Sequence, residues 1–148
     1  MDSYKKIIAG IAGIFIGAAQ IISVNEATDD VSVQTDVPVV QVSNLQYSYD
    51  QMKQDLETLQ EKYPEQMQIE SLGTTADGRE ILEAVLGDVN AEHHILVQAT
   101  MHAREYMNTV LAMNQIEDYL RYSEERSYNE TRWSELYKKV CFHVIPMV

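Results

Sequence analysis

The chain has 148 residues, 45% of them apolar, which allows one modest domain. Acidic residues outnumber basic ones by 23 to 11, and the formal charge is −12. Because phosphate binding needs clustered Lys and Arg, this balance excludes an electrostatic role on nucleic acid and is typical of a soluble acidic surface. The single cysteine, Cys141, excludes an internal disulfide, and its apolar surroundings predict a buried structural thiol.

The first 24 residues predict an export signal. Lys5 and Lys6 precede an almost uncharged apolar stretch, residues 7–24. Its length fits both a signal peptide, cut after Ala19 or Ala27, and an uncleaved membrane anchor. In either case we expect the rest of the chain to be extracellular or in the cell envelope.

Residues 25–45 are polar and without sustained helical periodicity, which is typical of a spacer or prosegment. The one regular element that they allow is a short strand at 37–42. We therefore expect the folded domain to comprise residues 46–148.

The first helix of this domain is predicted to begin at Ser48. Ser48 and Gln51 have the spacing of a capping box, an apolar stripe follows, and Pro64 ends the helix. This helix supplies packing, and we assign it no chemistry.

Three strands are predicted next. Residues 68–73 and 81–86 are joined through the turn signal Asp77-Gly78, which indicates a hairpin. The run 95–97 is apolar without alternation, which predicts a central parallel strand buried on both faces.

The remaining elements are a helix at 104–122, a charged loop at 123–129, a short helix capped by Thr131 and a strand at 140–148. The order is α-β-β-β-α-α-β. It predicts an α/β fold, an α/β/α sandwich with a mixed sheet whose antiparallel part is the hairpin.

The pattern that carries chemistry is His102-Ala103-Arg104-Glu105, directly after the apolar strand. Ligands of open α/β sheets collect at the carboxyl ends of strands, and residues i and i+3 at a helix start project from the same side. His102 and Glu105 can therefore converge on one metal ion. Imidazole and carboxylate are both zinc ligands, whereas the ordinary alternative for such a pair is a surface or capping contact.

Together with the order of elements, three segments resemble the M14 zinc carboxypeptidases: residues 73–81 (GTTADGREI), 102–105 (HARE) and 144–148 (VIPMV). The resemblance covers about residues 46–148. It implies the zinc carboxypeptidase fold, incomplete at the C-terminus, with His102 and Glu105 as the first two Zn²⁺ ligands. It also implies that Arg104 lies in the substrate cleft, where the ordinary alternative is a surface ion pair.

The same resemblance implies a third ligand, a histidine, and a catalytic glutamate further along, so no catalytic residue is assigned within this chain. His93 and His94 open the apolar strand, at the end opposite His102, and are not expected to reach the metal. His143 is interpreted as a satisfied strand histidine rather than a substitute ligand.

Two functions follow as hypotheses. The first is an exported zinc metallopeptidase that cleaves peptides, including cell-wall peptides, and is present here as a fragment inactive by itself. The second is a membrane-tethered noncatalytic binding module derived from the same fold. It is physically weaker, because a sheet of four strands leaves unpaired edges.

Overall fold

The computed structural model describes residues 37–44 and 46–148. The predicted export signal, with both cleavage points, and the first part of the predicted spacer lie outside these ranges. Within them, no helix is both long enough and apolar enough to cross a membrane.

The helices and strands follow the predicted order, with a hairpin of two two-residue strands added. Its second strand includes Thr131, so Thr131 does not cap the short helix as predicted, and the N-cap residue is Arg132. The fold is a mixed α/β structure with a mixed sheet, as predicted. Its elements are α1 (Tyr49–Lys62), β1 (Met67–Thr74), β2 (Glu80–Leu86), β3 (His93–Gln98), α2 (Tyr106–Arg121), β4 (Ser127–Tyr128), β5 (Thr131–Arg132), α3 (Trp133–Leu136) and β6 (Val140–Ile145).

Both ends of α1 lie where the sequence predicts, but only the Ser48 half of the capping box forms, because the Gln51 side-chain amide donates to Asp55 at 2.8 Å. The Ser48 hydroxyl accepts the backbone N–H of Gln51 at 3.2 Å, which satisfies a donor that the first turn leaves free. At the other end the Tyr63 N–H donates to the Leu59 carbonyl, directly before Pro64. The apolar stripe of this helix is buried against the sheet.

The sheet has the order β1-β2-β6-β3. β1 pairs with β2 and β2 with β6 in antiparallel fashion, whereas β3 and β6 are parallel. The chain passes from β3 through α2 and α3 before β6 enters between β2 and β3. Buried side chains of α1, α2 and one sheet face form a single apolar cluster. On the other face, Val85, Ala91 and Cys141 form a second, smaller buried cluster.

The predicted position of β3 is wrong, although its parallel direction is confirmed. β3 lies at the edge of the sheet, and among the described residues its only strand partner is β6. Ile95 and Leu96 are 43% and 64% exposed. An apolar run without alternation indicates that both faces of a strand could be buried. It does not indicate whether other helices or strands of the fold cover those faces.

The segment 37–44 packs on the domain rather than lying free of it. Val40 is 2% exposed, and the backbone N–H groups of Val39 and Val40 each donate to the Glu117 carboxylate at 2.8 Å. Glu117 lies on α2 and is 2% exposed. The strand allowed at 37–42 does not form, because a side chain takes these backbone donors.

Gly87 provides a test of how closely the start of β6, and the residues just before it, pack on the end of β2. Its φ is +94°, and a Cβ there would lie 2.9 Å from the carbonyl oxygens of both Tyr137 and Val140. Gly87→Ala should therefore lower the free energy of unfolding by about 2–4 kcal/mol, from backbone strain plus the clash. Urea denaturation followed by circular dichroism measures this.

Gly78→Ala is the matched control. Gly78 has a φ of +84°, but nothing lies within 4 Å of the added Cβ. Only the strain remains, so the expected loss is about 1–2 kcal/mol. Equal losses at the two positions would contradict the proposed clash.

Candidate metal centre

The connection between β3 and α2 places the candidate ligands just beyond the carboxyl end of β3. The Ala99 N–H donates to the Ile145 carbonyl at 2.9 Å, so pairing with β6 continues to the last residue before the turn. Thr100 then takes a φ of +51°, which is unusual for a β-branched residue and reverses the chain. The turn is therefore a specified conformation rather than a loose loop.

The Thr100 hydroxyl fastens this turn to α2. It donates to the Glu105 carbonyl at 3.0 Å and lies 2.7 Å from the hydroxyl oxygen of Thr109. Because Thr100 has given its one proton to Glu105, Thr109 is the donor in the second bond. Thr109 is fully buried, so the turn is held from the core.

His102 and Glu105 meet as the i, i+3 spacing predicts. The Glu105 N–H donates to the His102 carbonyl at 3.0 Å, which closes the turn. The His102 ring nitrogen Nδ1 lies 2.7 Å from Glu105 Oε1, and the His102 backbone N–H donates to Glu105 Oε2 at 3.3 Å. Their side chains are 78% and 37% exposed, so the pair is open to solvent and to a metal ion.

The electrostatics of the pair favour an ionised carboxylate. The hydrogen bond from the His102 ring holds the pKa of Glu105 below its ordinary value, and the His102 backbone N–H adds to the effect. Since a carboxylate only accepts hydrogen bonds, the proton of this bond is on Nδ1 of His102. Glu105 therefore carries the charge that a cation site requires.

The donor set fits zinc in part. An imidazole nitrogen and a carboxylate oxygen are both ligands that zinc takes at about 2.0–2.2 Å. The two atoms are in hydrogen-bond contact here, so the Nδ1 proton of His102 would have to move to Nε2 before Nδ1 and Glu105 could bind one ion. Catalytic zinc sites use three protein ligands, whereas this turn supplies two. His102 and Glu105 would hold the ion, and a third ligand is needed to complete the set.

Arg104 lies between these two ligands in the chain and is exposed. The surface ion pair considered as its ordinary role is not formed with any of the residues that the structure describes. Its position in a substrate cleft stays a prediction. A guanidinium without an ion pair among the described residues suits that role, because it can bind a carbonyl or carboxylate group of a peptide.

The other histidines do not join this pair. His94 is the second residue of β3, and about 13 Å of strand separates it from Gln98, where β3 ends before the turn at Thr100. Its Nδ1 lies 2.9 Å from Nε2 of His143, and Nδ1 of His143 lies 3.1 Å from Glu83 Oε1. His143 thus has hydrogen-bond partners, as interpreted from the sequence.

Cys141 is also buried as predicted, with an exposed fraction of 0%. Sequence reasoning missed that its sulfur gathers with His94 and His143, where the three ligand atoms lie within 4.8 Å of one another. The available signal was Cys141-x-His143, because residues i and i+2 of a strand share a face.

The Peptidase_M14 family model, described as zinc carboxypeptidase, matches residues 52–148. Similar solved structures have the same fold. That of thrombin activatable fibrinolysis inhibitor has a TM-score of 0.61 and 17% identity, covering 78% of this chain and 29% of the other.

Two further structures agree. The metallo-carboxypeptidase of Burkholderia cenocepacia has a TM-score of 0.52 at 21% identity, covering 68% of this chain and 26% of that one. Carboxypeptidase A of Helicoverpa armigera has a TM-score of 0.53 at 17% identity, covering 68% and 24%. The chain therefore spans less than a third of the length of each of these structures. Because the family model covers most of it, this chain belongs to the zinc carboxypeptidase family, peptidase M14.

Proposed function

We propose that this chain is the N-terminal part of the catalytic domain of an exported, zinc-dependent metallocarboxypeptidase-like enzyme that hydrolyses peptide bonds. The observation that carries the proposal is the 2.7 Å contact between His102 Nδ1 and Glu105 Oε1 at the end of β3. Two zinc-competent atoms converge there in a chain of the zinc carboxypeptidase family.

A bound zinc ion in such enzymes polarises the scissile carbonyl and lowers the pKa of a water molecule. The contribution of this chain is to hold the zinc ion and to orient its ligands. His102 and Glu105 supply two ligands, and the Thr100 hydroxyl fixes the turn that presents them. Arg104, exposed between them, offers a cation to a carbonyl or carboxylate of the peptide.

The third histidine ligand and the general-base glutamate are proposed to lie in sequence outside these 148 residues. The support is that the chain spans 24–29% of the length of the similar solved structures. By itself it should bind zinc weakly and should not hydrolyse peptides, because two protein ligands leave the ion loosely held.

The proposed substrates are peptides, including cell-wall peptides, met outside the cytoplasm. The support for this location is the pair Lys5 and Lys6 followed by the apolar stretch 7–24. The noncatalytic binding module stays the alternative hypothesis, and the metal measurement below separates the two.

The His102 ring should control the titration of Glu105. His102→Ala should raise the pKa of Glu105 towards its ordinary value, since the removed hydrogen bond is the main cause of the depression. Carboxyl-carbon chemical shifts followed against pH by NMR measure this pKa in the parent and the variant.

The lowered pKa of Glu105 also determines how its contribution to folding stability depends on pH. A carboxyl whose pKa is depressed in the folded chain stabilises it above the unfolded pKa and loses that contribution as pH falls through the folded pKa. His93→Ala is the control, since that ring lies near the other end of β3. An unchanged Glu105 pKa in His102→Ala would contradict the assigned hydrogen bond.

Zinc binding tests the proposed function directly. We use the full chain with His94→Ala and Cys141→Ser already introduced, so that the second histidine cluster does not contribute. Calorimetric titration should show one equivalent of zinc bound with low affinity. His102→Ala or Glu105→Gln should each lower that affinity more than about tenfold, since losing a residue that only hydrogen-bonds to a metal ligand already lowers metal affinity about 10–100-fold.

His93→Ala in the same background should bind zinc as the background does. Zinc affinity that is unchanged by both His102→Ala and Glu105→Gln would overturn the site. A folded chain that binds no zinc would leave the noncatalytic module as the better hypothesis.

A further inference from the structure

Three strands bring metal-binding side chains together on the sheet face away from α1 and α2. Cys141 and His143 lie two residues apart on β6 and therefore share a face. The parallel register sets His94 of β3 opposite Cys141. On the other side, β2 pairs with β6 so that Val85 is opposite His143, and Glu83 lies on that same face.

The ligand atoms of this group are close enough to share one ion. His94 Nδ1 and His143 Nε2 are 2.9 Å apart. One nitrogen of each ring lies within 4.8 Å of Cys141 Sγ. A tetrahedral ion at ordinary bond lengths separates two nitrogens by about 3.3 Å and a nitrogen from a sulfur by about 3.6 Å. Small movements of the side chains, mainly of the exposed His94 ring, would bring the three ligand atoms to these separations.

Glu83 orients one of these ligands in advance. Its carboxylate oxygen lies 3.1 Å from Nδ1 of His143, so Nδ1 carries the proton and the Nε2 lone pair is directed away, towards His94. A histidine that gives its other N–H to a carboxylate is the usual second layer of a metal site.

Glu83 also has an unusual environment. Its exposed fraction is 6%, and among the described residues its only ion-pair partner is His143. A buried carboxylate is costly unless it is paired. A cation bound to Nε2 of His143 would add positive charge near this carboxylate, whose one ion-pair partner among the described residues is the His143 ring.

We propose that His94, Cys141 and His143 form a second metal site, for a borderline-soft divalent ion such as zinc, with Glu83 as the outer partner of His143. Two imidazoles and a thiolate are a donor set that suits zinc and cobalt and disfavours magnesium and calcium. Water would take the fourth position, since Glu83 is engaged with His143.

Binding of one divalent ion at this site releases one proton. His143 keeps its Nδ1 proton on Glu83, and His94 moves its proton from Nδ1 to Nε2, which faces solvent. The Cys141 thiol loses its proton to the buffer when the sulfur binds the ion, so one proton is released. Burial raises the pKa of this thiol, and nearby Glu83 and Asp88 add to the effect, so binding should weaken as pH falls.

This site is separate from the one on which the proposed function depends. His94 is the second residue of β3, whereas His102 follows the turn beyond the other end of the strand at Gln98, and the strand between His94 and Gln98 alone is about 13 Å long. The second site also contains a sulfur, which the first lacks. Its failure and the failure of the peptidase proposal are therefore distinguishable by spectroscopy.

Cobalt(II) titration of the full chain, in oxygen-free buffer with a non-thiol reductant, tests the proposal. We expect a thiolate-to-cobalt charge-transfer band that saturates at one equivalent and bleaches when zinc is added. Cys141→Ser should lose the band, and His94→Ala and His143→Ala should each weaken cobalt binding about tenfold or more. His102→Ala with Glu105→Gln should keep the band.

His93→Ala is the matched control, because this neighbouring ring points to the opposite side of β3 and should leave the titration unchanged. His94 is exposed, so His94→Ala tests the site without disturbing the core, and circular dichroism checks the fold of each variant. A parent chain without the band, a band that persists in Cys141→Ser, or unchanged binding in His94→Ala would each overturn the proposal.

Discussion

The parallel pairing of β3 with β6 is the contact on which both candidate sites depend. Its register sets His94 beside Cys141 at one end of β3. At the other end, pairing continues through the Ala99 N–H to Ile145 before Thr100 turns the chain into the segment that carries His102 and Glu105. A shift of one residue in this register would turn His94 to the other face and would change where the turn begins.

The His102–Glu105 pair was predictable because it is local. The two residues lie in the turn just before α2, not in its first helical turn as predicted, and residues three apart in a single turn can meet without help from the rest of the fold. The apolar run before them predicted a parallel strand, and the carboxyl end of such a strand is where ligands collect. The hairpin and the cap at Ser48 followed from equally local signals, and both are confirmed. That His102 and Glu105 bind a metal stays a prediction.

The cluster of His94, Cys141 and His143 could not be predicted in the same way. Its members meet only because β6 enters between β2 and β3, and no pattern within a strand specifies which neighbours it takes. The edge position of β3 was missed for a related reason, since hydrophobicity does not report strand order. Likewise, nothing around Glu117 indicated that its carboxylate would bind the backbone of residues 39 and 40.

The entry of β6 between two earlier strands also has a consequence during synthesis. The β1–β2 hairpin is complete once Leu86 has left the ribosome, but β3, finished at Gln98, has no described partner until residue 140 is made. At about 5–20 residues per second this interval lasts about 2 to 8 seconds. Throughout it Ile95 and Leu96 belong to an unpaired apolar strand, the kind of segment that pairs with other nascent chains or is held by chaperones.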